Sequence, residues 1–137
     1  GLWFVVQAHH PGEFNAPVDP GFAPIAAARQ WLAAYWAGRS TEGIHVELDL
    51  HGTPFQRAVW QALVAIGPGR TSTYGEVARA AGSPAGVRAA GAAIGRNPVG
   101  VIVPCHRVIG ANGSLTGYAG GLSRKERLLQ HEGVLLT

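Results

Sequence analysis

The chain has one cysteine, Cys105, preceded by Pro104 and followed directly by His106 and Arg107. A thiol beside an imidazole and a guanidinium sits among groups that favour the thiolate, which is the attacking form. With no second cysteine an internal disulfide is excluded, so the thiol serves either packing or chemistry. A lone cysteine is more often a packed small hydrophobe; the Pro-Cys-His-Arg setting points to a nucleophile. The apolar run Val101-Ile102-Val103 predicts a buried strand that delivers the thiol to one fixed place.

The elements that must position this cysteine are readable on either side of it. The chain divides near His51-Gly52, giving domains of residues 1–51 and 52–137. In the first, Gly1 to Gln7 predicts a strand and His10 to Pro24 a loop rich in Pro and Gly. A helix follows from Pro24 to Gly38, with Ile25, Ala28, Leu32 and Tyr35 or Trp36 at helical spacing. Ile44, Val46, Leu48 and Leu50 alternate with polar residues and predict a half-exposed strand. One strand pair makes a poor sheet, so residues 1–51 are expected to be part of a small α/β domain with further strands.

The second domain reads as a string of capped helices. Thr53-Pro54-Phe55-Gln56 is a capping box with Pro at the first helical position, opening a helix with Phe55, Val59, Leu63 and Ile66 inward. Thr73-Tyr74-Gly75-Glu76 is a second box, opening a short helix to Ala81. After the Gly82-Ser83-Pro84 turn, Ser83 is expected to cap a third helix running to Gly95. Two short helices across a Gly-containing turn match a helix-turn-helix, although antiparallel helix pairs inside cores give the same pattern. The third helix is nearly bare of bulk, with Arg88 the only long side chain in its first half. Such a helix suits close approach in a narrow groove with one side chain wedged into the base stack. Tight packing on neighbouring elements explains the same residues, and both readings can hold on opposite faces.

Charge is divided unevenly along the chain. Residues 1–51 carry two arginines against five acids, and residues 52–137 carry nine basic side chains against three acids. A basic second half suggests a polyanionic partner, with a solvated basic face as the plain alternative. Only 14% of residues are charged and 47% are hydrophobic, which makes this a compact globular chain and not a disordered one. No apolar run approaches the roughly 20 residues that span a bilayer. A free thiol favours a reducing compartment, so a cytoplasmic location is expected. His9, His10, His45 and His51 lack metal-ligand spacing, and neither a metal nor a cofactor is expected.

Several runs carry a specific resemblance: Thr53-Pro54-Phe55-Gln56, Thr73-Tyr74-Gly75-Glu76, Arg88-Ala89-Ala90-Gly91, Asn97-Pro98, Pro104-Cys105-His106-Arg107-Val108-Ile109, Gly117-Tyr118-Ala119-Gly120-Gly121-Leu122 and Glu132-Gly133. Together they resemble the O6-alkylguanine-DNA alkyltransferases, also called methylated-DNA–protein-cysteine methyltransferases, densely from residue 44 to 133. The resemblance implies an α+β protein. Its first part would belong to a ribonuclease-H-like α/β domain, and its mainly helical second part would contain a winged-helix-like helix-turn-helix. It also implies a monomeric repair protein that binds double-stranded DNA in the minor groove and flips O6-alkylguanine into a pocket. The alkyl group, or that of O4-alkylthymine, would pass irreversibly to Cys105. A thioether resists hydrolysis, so one molecule repairs one lesion.

The same resemblance implies roles residue by residue. Arg88 is the finger that fills the space left by the flipped base, which must leave the stack to be reached. Ala89, Thr73, Ser83 and Arg96 contact DNA. Tyr74 lies beside the flipped base and can donate to its ring nitrogen. His106 takes the thiol proton, a bridging water relaying it, and Glu132 orients His106. Neighbours on a strand point to opposite faces, so the chain must turn at Cys105. Asn97 braces that turn. Pro104, Val108, Tyr118, Ala119 and Gly120 wall the pocket, and the small Gly100 beside it would admit larger alkyl groups. Without the resemblance, Glu132 reads as an ordinary helix end. Three rivals remain: a lesion sensor on the same fold, against which Cys105 argues; a helix-turn-helix transcription factor, against which the bare third helix argues; and a Cys-His hydrolase, which would turn over.

Overall fold

The computed structural model describes residues 1–4, 7–9, 12 and 21–134. The chain forms two compact units, one of Pro11–Leu50 and one of Gly1–His10 with His51–Thr137. The first ten residues therefore group with the second unit, whereas the sequence division at residue 51 leaves them in the first. Within the described residues the fold is mostly helical, with one two-stranded parallel sheet.

In the unit of Pro11–Leu50, α1 spans Ala23–Trp36, with a proline in its first turn and Ala34 and Tyr35 buried. Trp31 stacks on Tyr35 with ring centroids 5.3 Å apart. The predicted strand at Ile44–Leu50 is not formed. The segment keeps its alternation, with residues 44, 46, 48 and 50 half-buried and 45, 47 and 49 exposed. A strand needs a neighbour to hydrogen-bond, and the described residues of this unit offer none. The predicted loop of His10 to Pro24 lies largely outside the described residues, as do Val5 and Val6 of the predicted first strand. Leu2, from that predicted strand, makes an isolated parallel bridge to Val99.

The second unit is built on four helices: α2 (Pro54–Val64), α3 (Tyr74–Ala80), α4 (Val87–Gly95) and α5 (Leu122–His131). Both capping boxes form. Thr53 accepts from the Gln56 amide while Gln56 returns a bond to Thr53, and Thr73 and Glu76 do the same for α3. Each box satisfies two amides that a helix start leaves orphaned. Val59, Trp60 and Leu63 of α2 bury themselves with Val77 and Ala78 of α3, Ala90, Ala93 and Ile94 of α4, and Leu128 and Leu129 of α5. Trp60 Nε1 donates to the Ala93 carbonyl at 2.8 Å, tying α2 to α4. Strands β1 (Ser72–Thr73) and β2 (Val108–Ile109) pair in parallel, a link absent from the sequence pattern because each is two residues long.

Ser83 does not cap the third helix. The Gly86 amide donates to the Ser83 carbonyl at 2.8 Å, so residues 83–86 form a turn with Pro84 second, and α4 starts at Val87 behind Gly86. A Cβ at Gly86 would lie 2.5 Å from Ser83 Oγ, which favours glycine there. No helix among the described residues is long and apolar enough to cross a membrane. Replacing Thr53 by Ala removes a cap remote from the cysteine; the expected loss is about 1 kcal/mol in urea unfolding. Unchanged stability would mean that this box does not hold α2.

Candidate active site

The expected strand before the cysteine is replaced by consecutive tight turns. The Ile102 amide donates to the Gly100 carbonyl at 2.9 Å across Val101, which sits at φ 69°. A β-branched residue in the left-handed region is strained, and such strain persists only where the surroundings over-determine it. The Cys105 amide donates to the Val103 carbonyl at 2.9 Å across Pro104. Asn97, itself buried, braces these turns: its Nδ2 donates to the same Val103 carbonyl at 2.7 Å and its Oδ1 accepts from the Val99 amide at 3.0 Å. Bonds that a ladder would have used go to one side chain and two turns. Cys105–Arg107 then form a single 3-10 turn, the change of direction that a Cys-His pair requires.

From this turn His106 and Arg107 both reach Glu132, just past the end of α5. His106 Nε2 lies 2.5 Å from Glu132 Oε2, and Arg107 Nε donates to Oε1 at 2.7 Å. Arg107 Nη1 also donates to the Ile66 carbonyl, beyond the end of α2. Both carboxylate oxygens are thus engaged, and the Glu132 side chain is 2% exposed. A carboxylate on Nε2 holds that nitrogen as the N–H, leaving Nδ1 the acceptor. Nδ1 is buried with no hydrogen-bond partner among the described residues. Burial lowers the His106 pKa, Glu132 opposing it. In the resting site the ring is neutral and poised to accept a proton.

The environment of the thiol differs from the sequence expectation. Burial pushes the Cys105 thiol above its ordinary value, against smaller opposing effects of Asn97, Lys125, its own backbone and Tyr118. The adjacent imidazole and guanidinium do not favour the thiolate, because both are turned to Glu132. The cation that acts on the thiol is Lys125, which sequence reasoning missed. Its signal was present: Lys125 shares the helical spacing of Leu128 and Leu129 and so falls on the buried stripe of α5.

Cys105 opens on a cavity of about 240 Å³ lined also by Tyr74, Tyr118, Ala119, Gly117 and the inner face of α4 at Gly91, Ile94 and Gly95. Ala8 and His9 border it as well, the Ala8 amide donating to the Ala119 carbonyl at 2.9 Å. A smaller hollow beside it is bordered by Asn97, Gly100, Cys105 and Gly120. Of the five expected wall residues, Tyr118 and Ala119 line the main cavity and Gly120 the hollow. Pro104 and Val108 are buried behind them, and the Val108 carbonyl accepts from Lys125. Tyr74 Oη donates to the Thr116 carbonyl at 3.1 Å, at the cavity edge. In the first turn of α4 Arg88 and Ala89 are exposed, Arg88 on the same helical flank as Gly91 and Gly95, and Arg96 is exposed just after the helix; Thr73 and Ser83 are half-buried in their cap and turn. The contribution of Gly91, Ile94 and Gly95 has no signal in the sequence, since only the mounting of α4 against Tyr74 brings them to the cavity.

Iodoacetamide labelling of the single cysteine in the folded chain is expected to follow a pH profile with its midpoint above that of free cysteine. A midpoint below it would contradict a thiol held neutral by burial. Glu132→Ala leaves Arg107 buried and unpaired, with an expected cost of about 3 kcal/mol or more in urea unfolding. An unchanged transition would remove the carboxylate from the stability of the site.

The model of the 6-O-methylguanine DNA methyltransferase DNA-binding domain matches residues 54–134. The methylated-DNA–protein-cysteine methyltransferase of Mycobacterium tuberculosis is 51% identical over 131 residues, which cover 96% of this chain and 78% of that protein. Among solved structures, Mycobacterium tuberculosis OGT in complex with DNA superposes with a TM-score of 0.75 at 55% identity, covering 79% of this chain and 66% of that one. S. pombe Atl1 in complex with damaged DNA containing O6-carboxymethylguanine gives a TM-score of 0.56 at 34% identity, over 63% of this chain and 82% of its own. With a buried Cys105 on a cavity, a His106–Glu132 pair behind it and this extent of identity, the chain belongs to the methylated-DNA–protein-cysteine methyltransferase family.

Proposed function

We propose that this chain repairs DNA by taking the alkyl group of O6-alkylguanine, or of O4-alkylthymine, onto Cys105 Sγ. The observation that carries this reading is a buried thiol at the wall of a 240 Å³ cavity that is also bordered by Gly91 and Gly95 of α4, on the helical flank that bears the exposed Arg88. That volume lies below the roughly 300–1,000 Å³ of drug-ligand pockets and suits a single flat ring system. In this reading residues 52–137 carry DNA binding and transfer, and α3 and α4 form a winged-helix-like helix-turn-helix set into the minor groove. Residues 1–51 belong with a ribonuclease-H-like domain. The protein acts as a monomer in the cytoplasm.

The mechanism follows from groups already placed. Arg88, exposed in the first turn of α4, enters the stack as the alkylated base leaves it, offsetting a few kcal/mol of unstacking. The base crosses the thin edge of α4 and lies between Tyr74 and the Tyr118-Ala119 backbone. Thr73, Ser83, Ala89 and Arg96 lie along the DNA side. His106 Nδ1 takes the thiol proton, through one water, and Glu132 stabilises the imidazolium that forms. The thiolate attacks the alkyl carbon: an S–C bond forms, the C–O6 bond breaks, and the electron pair returns to the guanine. The Tyr74 hydroxyl donates a hydrogen bond to the guanine ring nitrogen as negative charge develops there, while the Thr116 hydroxyl, 3.2 Å away, donates to the tyrosine oxygen. Asn97 fixes the turn that carries Sγ. The thioether has no group nearby to cleave it, so the reaction ends there.

Intact mass after incubation with duplex DNA holding one O6-methylguanine is expected to rise by one methylene, mapped to Cys105 and saturating at one per chain. Lesion binding with no mass change would instead favour a sensor. Arg88→Ala is expected to slow repair of duplex lesions far more than labelling by free O6-benzylguanine. Equal losses on the two substrates would remove the finger assignment.

A further inference from the structure

One buried ionisable group has no part in that mechanism. Lys125 lies in α5 with its side chain fully buried. Its Nζ donates to the carbonyls of Val108, Thr116 and Gly117, at 2.5, 2.8 and 3.2 Å. All three partners are neutral, and no carboxylate among the described residues pairs with it. A buried ammonium without a counterion is costly. Burial lowers its pKa to about 8, and the group that opposes this is Cys105.

The charges around the thiol explain why such a cation is kept. Glu132 is matched by Arg107, so that pair leaves nothing over for the cysteine. When the thiol proton moves to His106, the imidazolium faces Glu132 and the thiolate is left in a buried site. Lys125 is the cation not already matched by an acid there. The groups facing it are Cys105 and His106 from the 3-10 turn and Tyr74 from α3, with its ring centroid 6.0 Å from Nζ. The ammonium disfavours the imidazolium of His106, which Glu132 favours, while Arg107 and Glu132 are paired with each other. The Thr116 carbonyl accepts from both Lys125 Nζ and Tyr74 Oη, so the ammonium also sets where the tyrosine hydroxyl rests.

We propose that Lys125 is a positioning residue for the displacement, clamping the Thr116–Gly117 loop to Val108 and serving as the buried countercharge of the Cys105 thiolate. The proposal rests on Cys105 being the alkyl acceptor. Lys125→Met keeps the bulk and removes the charge, and iodoacetamide reads the single thiol without DNA or any alkylated base. An opposite charge at short range shifts a titration by about 1–3 pH units. The midpoint of labelling is therefore expected to rise by about one pH unit or more in Lys125→Met, with roughly tenfold slower labelling at a pH below both midpoints. Lys125→Arg is expected to bring the midpoint back toward that of the unsubstituted chain. An unmoved midpoint in folded Lys125→Met overturns the proposal.

If Lys125→Met does not fold, the unsubstituted chain answers instead by NMR of its carbon-13-labelled lysine. Capping Cys105 with iodoacetamide removes the ionisable sulfur, so the Lys125 titration is expected to move down from about 8. An unchanged titration overturns the countercharge. A chain whose thiol titration depends on Lys125, but which takes no methyl group from DNA, overturns the alkyl-transfer reading alone.

Discussion

A single carboxylate, Glu132, engages an imidazole through one oxygen and a guanidinium through the other, almost wholly out of water. The rest of the site depends on that arrangement. It fixes the tautomer of His106 and matches the charge of Arg107. Through the Arg107 contact with Ile66 it also ties the end of α5, the cysteine turn and the segment following α2 into one frame. Such buried pairs are weak evidence of net stability, because desolvation consumes much of the attraction. Their value here is geometric: side chains so constrained hold Cys105 against one wall of the cavity.

The resting site is electrostatically quiet. The thiol is neutral, the imidazole is neutral, and the permanent charges are either matched or held by backbone carbonyls. A permanently ionised thiol would react with electrophiles indiscriminately, whereas one held neutral by burial needs proton transfer to a neighbour before it attacks. Selectivity then comes from the cavity, which must place an alkyl carbon on the sulfur when the proton moves.

Much of this was readable in the sequence, and the failures have physical causes. Both capping boxes formed where Thr53 and Thr73 announced them, because a cap is a local interaction that spacing records. The buried strand before Cys105 did not form: Asn97, several residues upstream, competes for the backbone groups that a ladder would use. Ser83 was read as a cap by residue type, but Pro84 and Gly86 make a turn there first. The thiol's electrostatics were misjudged from adjacency. His106 and Arg107 are next to Cys105 in sequence but serve Glu132, whereas Lys125, twenty positions away, acts on the sulfur. Site membership that comes from mounting one helix on another, as at Gly91, Ile94 and Gly95, leaves no local signature.

The alanines and glycines of α4 have a further consequence. With a Cβ at Gly91 only 3.7 Å from the Tyr74 ring, and with Ala or Gly at most other positions, α4 is little thicker than its own backbone. A helix is about 4.6 Å across at its Cα atoms, against roughly 10–12 Å with ordinary side chains. Arg88 stands three residues before Gly91 and seven before Gly95, so the exposed arginine and the glycine border of the Cys105 cavity share one flank of the helix. Past Arg88, Gly91 and Gly95 leave that flank bare down to the backbone.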